Sequence, residues 1–103
     1  MSGQSLISPD ILASYAADAA REVAGVSGLV GSALHRHEGV RVSLGDGRVA
    51  VELHLAVAWG ANAPEVAATV QARVADYLAR MADVRPDTVD VVVDEFTPKR
   101  GST

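Results

Sequence analysis

Hydrophobic positions recur along this chain in two periods, and the switches between them mark the elements. Ile11, Leu12, Tyr15, Ala16, Ala19 and Val23 are three or four apart, as on one helix face. Ser8-Pro9-Asp10 precedes them. Ser8 suits an N-cap, Pro9 the first helical position and Asp10 the positive end of the helix dipole. Gly25 suits a left-handed residue beyond the C-terminus, so a helix is expected over about Pro9 to Ala24. Residues 25–38 show neither period. Gly28 and Gly31 interrupt any long element, and the segment reads as a loop, with a turn of helix or the start of a strand near Leu34.

The period then becomes two. Val40, Val42 and Leu44 alternate with Arg41, Ser43 and Gly45; Val49, Val51, Leu53, Leu55, Val57 and Trp59 alternate with Ala50, Glu52, His54, Ala56 and Ala58. Asp46-Gly47 between these runs is a strong signal for a two-residue hairpin turn. With those two as loop residues, Leu44 opposes Val49, Val42 opposes Val51 and Val40 opposes Leu53. Arg41 meets Glu52 and Ser43 meets Ala50 on the other face, and a slip of one residue would destroy the match.

Gly60 lets the chain turn, and Asn62 with Glu65 three residues on opens a second helix, with Pro64 in its first turn. Val66, Val70, Val74, Tyr77, Leu78 and Met81 form its apolar stripe, and the helix is expected to end near Ala82, before Arg85-Pro86-Asp87. Val89, Val91 and Val93 alternate with Asp90, Val92 and Asp94 in a third strand to about Phe96. The pattern predicts a two-layer α+β sandwich of order α-β-β-α-β, a three-stranded sheet with two helices on one face. The crossover to the last strand should be right-handed, and that strand has either of the other two as a possible neighbour. Residues 1–7 read as a short flexible lead, 8–97 as a single domain and 98–103 as a polar tail.

Composition narrows the function. At 103 residues, 49% hydrophobic and 21% charged, the chain suits one globular core. A net charge of −4, with eight of the nine basic residues scattered arginines, argues against phosphate-backbone binding. The absence of cysteine removes thiolate chemistry and disulfides. No apolar run approaches the roughly 20 residues of a membrane span, and residues 1–5 lack the marks of a signal peptide, so a cytoplasmic protein without direct membrane insertion is expected.

Candidate chemistry is sparse. His35 and His37 have the spacing of one strand face, and an early first strand would set His37 opposite Ala56 and diagonal to His54. Those imidazoles could take a transition metal, against the ordinary reading of a solvated loop edge. Asp90, Asp94 and Glu95 lie on an open sheet, where solvation rather than acid–base catalysis is expected. Gly25-Val26-Ser27-Gly28 spells the G-x-x-G of nucleic-acid-binding KH domains, but neither middle residue is basic and helix capping accounts for Gly25. No catalytic residue or cofactor is assigned. The outer sheet face, with Arg41, Glu52, His54, Val92 and Phe96, is the candidate interaction surface.

Taken in order, Ile7-Ser8-Pro9-Asp10-Ile11-Leu12, Ala19-Ala20-Arg21-Glu22-Val23-Ala24-Gly25-Val26, Gly39-Val40-Arg41-Val42, Trp59-Gly60-Ala61-Asn62-Ala63-Pro64-Glu65-Val66, Val70-Gln71-Ala72-Arg73-Val74 and Thr88-Val89-Asp90-Val91-Val92-Val93 resemble the bacterial alkaline shock protein family, which includes a glucose-starvation general stress protein. The resemblance covers about residues 6–96; the charged extensions of larger members are nearly lacking. It implies a non-enzymatic, cytoplasmic protein of cell-envelope stress homeostasis that assembles with itself or paralogues, or is held near the membrane by a small membrane-anchored partner. The family pattern supplies no catalytic residues. Gly25, Gly60, Asn62 and Pro64 belong to it and have structural explanations as caps and turns. A KH-like nucleic-acid module and a small histidine metal site are the alternatives.

Overall fold

The computed structural model of the chain describes residues 8–31 and 39–98. Their order is α1 (Pro9–Arg21), β1 (Val26–Leu29), β2 (Val40–Gly45), β3 (Arg48–Ala58), α2 (Ala63–Ala82) and β4 (Thr88–Thr97). The expected α+β class holds, but the sheet has four strands rather than three. The addition, β1, lies where a loop was expected. Its Val-Ser-Gly-Leu is too short and too glycine-broken to show a period, and pairing with β3 holds it extended.

β3 organises the sheet. Along one edge it pairs with β4 in parallel, from Ala50↔Thr88 to Ala58↔Thr97. Along the other it pairs antiparallel with β2, from Gly45↔Arg48 to Val40↔Leu53, and then with β1, from Leu29↔Leu55 to Val26↔Val57. β1 and β2 therefore lie end to end on one edge of a mixed sheet. The chain leaves that edge after Val30 and returns at Gly39, and both ends are tied to one residue. The Val30 amide donates to the His54 carbonyl at 2.9 Å, and the His54 amide donates to the Gly39 carbonyl at 2.8 Å. The neighbour of the last strand, open from the pattern, is β3.

The hairpin has the expected register at every pair from Val40↔Leu53 to Gly45↔Arg48. Asp46 and Gly47 both take positive φ, 51° and 73°, as a two-residue turn matched to the strand twist requires. Asp87 closes the opposite edge of this end. Its amide donates to the Val49 carbonyl at 2.8 Å and its carboxylate accepts from the Val49 amide at 2.7 Å, which continues the ladder one step before β4.

Both helices begin as their sequences direct. The Ser8 hydroxyl accepts from the Ile11 amide at 3.2 Å, and the Asn62 side chain accepts from the Glu65 amide at 3.1 Å, with Pro9 and Pro64 in the first turns. α1 ends at Arg21, three residues before the expected Ala24, because Glu22 already serves as its C-cap; Gly25, at φ +96°, lies in the turn that leads into β1. α2 ends at Ala82 with Asp83 in the left-handed conformation.

The core lies between the helices and one sheet face. Val51, Leu53, Leu55 and Val57 alternate inward along β3, against Val66, Val70, Val74 and Leu78 of α2. From α1 come Leu12 and a set of alanines, Ala13, Ala16, Ala17 and Ala20, whose small side chains permit close approach of the helix. Tyr15 and Tyr77 join the helices edge to face, with centroids 5.9 Å apart. Two residues of the expected stripes are not covered: Ile11 and Met81, each near a helix end, are 48% and 51% exposed.

Candidate functional site on the outer sheet face

Because Val51, Leu53 and Leu55 point into the core, the pleat turns Glu52 and His54 to the opposite face. Among the described residues neither helix covers that face; both contribute to the core on the other side. β4 adds Asp90 and Val92 beside Glu52 and His54. One step further the register shifts: Leu55 pairs with Val93, but Ala56 pairs with Glu95. Asp94 is the extra residue of a β-bulge, which re-aims its side chain relative to a regular strand.

The bulge brings three titratable groups together. His54 Nδ1 lies 2.7 Å from Asp94 Oδ2, and His54 Nε2 lies 2.6 Å from Glu52 Oε2. Each ring nitrogen meets a different carboxylate, so only the imidazolium, with two N–H groups, can donate to both. The hydrogen bond to Glu52 is the main reason the imidazole pKa is raised above its ordinary 6.5; burial opposes it, and the hydrogen bond to Asp94 and the charges of both acids add to it. The imidazole is 21% exposed, so the cluster sits in the surface of the face, not above it.

Several residues singled out in the sequence fall differently. His35 and His37 lie outside the described residues. The partner of Ala56 on that edge is Gly28 of β1. Among the described residues no group of three His, Asp or Glu side chains could hold a metal ion. His54 spreads its two nitrogens between two acids, so the three groups do not converge on one point. Phe96 is not on the outer face. The extra residue at Asp94 reverses the alternation, sets Phe96 level with the core-facing Val57 and brings it edge to face with Trp59, at 6.2 Å. Arg41, Glu52, His54 and Val92 remain on the outer face, Val92 being 39% exposed. The G-x-x-G segment is no free loop: from Val26 it is strand, and the Gly25 carbonyl accepts from the Ala58 amide at 2.9 Å.

Asp94 is the member of the cluster that the sequence pattern did not bring to His54. Glu52 and His54, two apart on a strand, share a face by alternation alone. Joining Asp94 to them requires both the β3–β4 pairing and the bulge, and no glycine or proline marks the bulge.

A family model described as that of the alkaline shock protein 23 family, with cell envelope-related function, matches residues 1–97. No curated protein matches the sequence. Among solved structures the chain is similar to a histidine-to-glutamate variant of MamM CTD, at TM-score 0.62 and 18% identity, over 84% of this chain and 93% of that one. It is similar too to a zinc form of an aspartate-to-asparagine variant, at 0.62 and 18%, over 84% of each chain. A manganese form matches at 0.55 and 15%, over 84% of this chain and 96% of that one. At these identities the likeness is one of fold. Among the described residues no helix is long and apolar enough to cross a membrane.

Proposed function

This chain belongs to the alkaline shock protein 23 family, whose function is cell envelope-related, and on that premise we propose that it is a non-enzymatic, stress-associated interaction module of the cytoplasm. It acts by assembling with a second copy or by docking a small membrane-anchored protein, and its outer sheet face is the surface used. The observation that carries this reading is the face itself. A four-stranded sheet has both helices on one side, and the other side presents Val92 flanked by charges of unequal distribution. Arg41 lies on β2 at one margin, and Asp90 and Asp94 lie on β4 at the other, with β3 between them. A second copy turned about an axis parallel to the strands would set Arg41 over the acidic margin opposite, an isologous and charge-matched contact.

Sedimentation velocity tests the self-association arm. Arg41→Asp and Asp90→Arg should each shift the protein toward monomer, and the double exchange should restore the larger species. A pull-down from lysate of the source, with Val92→Lys alongside, tests the docking arm: a small membrane-anchored protein should be held by the native chain and lost by the variant. A protein monomeric at all concentrations whose captured partners ignore Val92→Lys would end the proposal. Capture that vanishes on nuclease treatment would point to nucleic acid instead.

A further inference from the structure

β3 is paired along both edges, β4 along one. Among the described residues β4 pairs with β3 and with no other strand, so the second edge of Thr88–Thr97 is open. Alternation settles which backbone groups face that edge. The His54 N–H and C=O go to Gly39 and Val30, which leaves those of Val51, Leu53 and Leu55 for β4. In a parallel ladder one residue of each matched pair bonds across, so Val89, Val91 and Val93, matched to those three, turn their own groups outward. The Val89 carbonyl bears this out, since it accepts from the Gln71 side chain of α2 at 2.9 Å.

The side chains give this edge a sign. Thr88–Thr97 holds Asp90, Asp94 and Glu95 and no basic residue. Asp90 is level with Glu52 and Glu95 with Ala56, both acids are exposed, and the exposed Val92 lies between them. A long open edge invites another strand, and its charges decide which strand is admitted. The β4 of a second copy laid antiparallel alongside would set acid against acid, directly opposite or on the diagonal, a repulsive arrangement. An extended segment with Lys or Arg at the matching positions would make the same contacts attractive. Val89, Val91 and Val93 pack against the core on the other side of the strand, so the edge is held ready and needs little ordering to receive a partner.

We propose that the open edge of β4 is a strand-addition site for an extended, basic segment of a partner protein, which sets a Lys or Arg beside Asp90, an apolar residue beside Val92 and a second Lys or Arg beside Glu95. The N–H and C=O groups of Val91 and Val93 supply the main-chain bonds, and the alternating side chains supply the selectivity. The bulge sets the extent. The regular register ends at Val93, so the added strand is centred on Val91 and Val93 and reaches Glu95 where β4 bends. This edge is a second surface, beyond the outer-face pairing described above. Asp90 borders both, but Arg41 lies on the far margin of the sheet, so the two surfaces can be disabled separately.

NMR titration of the isotope-labelled full chain tests this. The probe is a cyclic hairpin peptide whose exposed strand alternates lysine, valine and lysine with threonine, and a copy with glutamate in place of lysine is its control. The lysine peptide should shift the Val91 and Val93 amide signals and slow their hydrogen exchange, while the Val49 amide, bonded to Asp87 on the paired side, stays unchanged. The glutamate peptide should bind at least about fivefold more weakly, and added salt should narrow the difference. Asp90→Lys combined with Glu95→Lys should reverse the preference. Arg41→Asp, which breaks the pairing proposed for the outer face, should leave it intact. If the charge-reversed chain folds poorly, the salt series on the native chain decides. Equal binding of the two peptides, a preference that survives charge reversal, or no change at Val91 and Val93 in millimolar lysine peptide would each overturn the proposal. So would protection there that rises with protein concentration alone, the mark of a second copy on the edge.

Discussion

Gly39 is where the two strands on one edge of β3 are joined to the sheet's centre, and replacing it by alanine tests that junction. It takes φ +89°, and a Cβ built there would lie 2.6 Å from the Val30 carbonyl oxygen and 3.0 Å from that of His54. Both are backbone atoms, so no rotamer change relieves the contact. An L-residue in the left-handed region costs about 1 kcal/mol or more. Separating Val30 and Gly39 from His54 weakens two backbone hydrogen bonds, of 2.9 and 2.8 Å, each worth about 1 kcal/mol net. The sum is a loss of about 3 kcal/mol, a large share of the 5–15 kcal/mol typical of such a domain. Urea unfolding followed by far-ultraviolet circular dichroism measures it, and at a slope near 1.5 kcal/mol/M the midpoint should fall by roughly 2 M. Gly28→Ala is the control: it lies in β1, its added Cβ meets no atom within 4 Å, and its φ is not left-handed, so its effect should stay within about 0.5 kcal/mol. A loss below about 1 kcal/mol for Gly39→Ala, or equal losses for the two variants, would refute the junction as described.

Two further substitutions address the local signals. Gly47→Val places a β-branched residue at φ +73° in the hairpin turn and should destabilise by more than about 1 kcal/mol; an unchanged melting temperature would contradict the turn. Asn62→Ala removes the acceptor for the Glu65 amide at the start of α2 and should cost about 1 kcal/mol in thermal unfolding, whereas Asn62→Ser should retain most of the stability.

The parts of the fold that were legible in the sequence are those decided by neighbours along the chain. The β2–β3 register follows from a two-residue turn and strict alternation, so one dipeptide sets six pairs. Ser8 and Asn62 cap their helices through amides three residues on. What was not legible depends on contacts distant in sequence. β1 is a strand because β3 offers it an edge above β2, and nothing in Val26–Leu29 announces that. The reversal of Phe96 is the clearest case. Alternation from Val89 assigns it to the outer face, and one unannounced extra residue at Asp94 assigns it to the other. The same bulge completes the His54 cluster, so the error about Phe96 and the missed partner of His54 have one cause. Ile11 and Met81 show a different limit, since a helix stripe indicates a direction and not how much of its length is covered.

The junction at His54 has a consequence for how this chain can vary. Its carbonyl accepts from Val30 and its amide donates to Gly39 on the same rung, so the sheet dictates where the intervening segment departs and where it returns. Any variant of this chain that differs between positions 31 and 39 must therefore still bring both ends of the stretch back to one residue of β3, or lose the joint between β1 and β2.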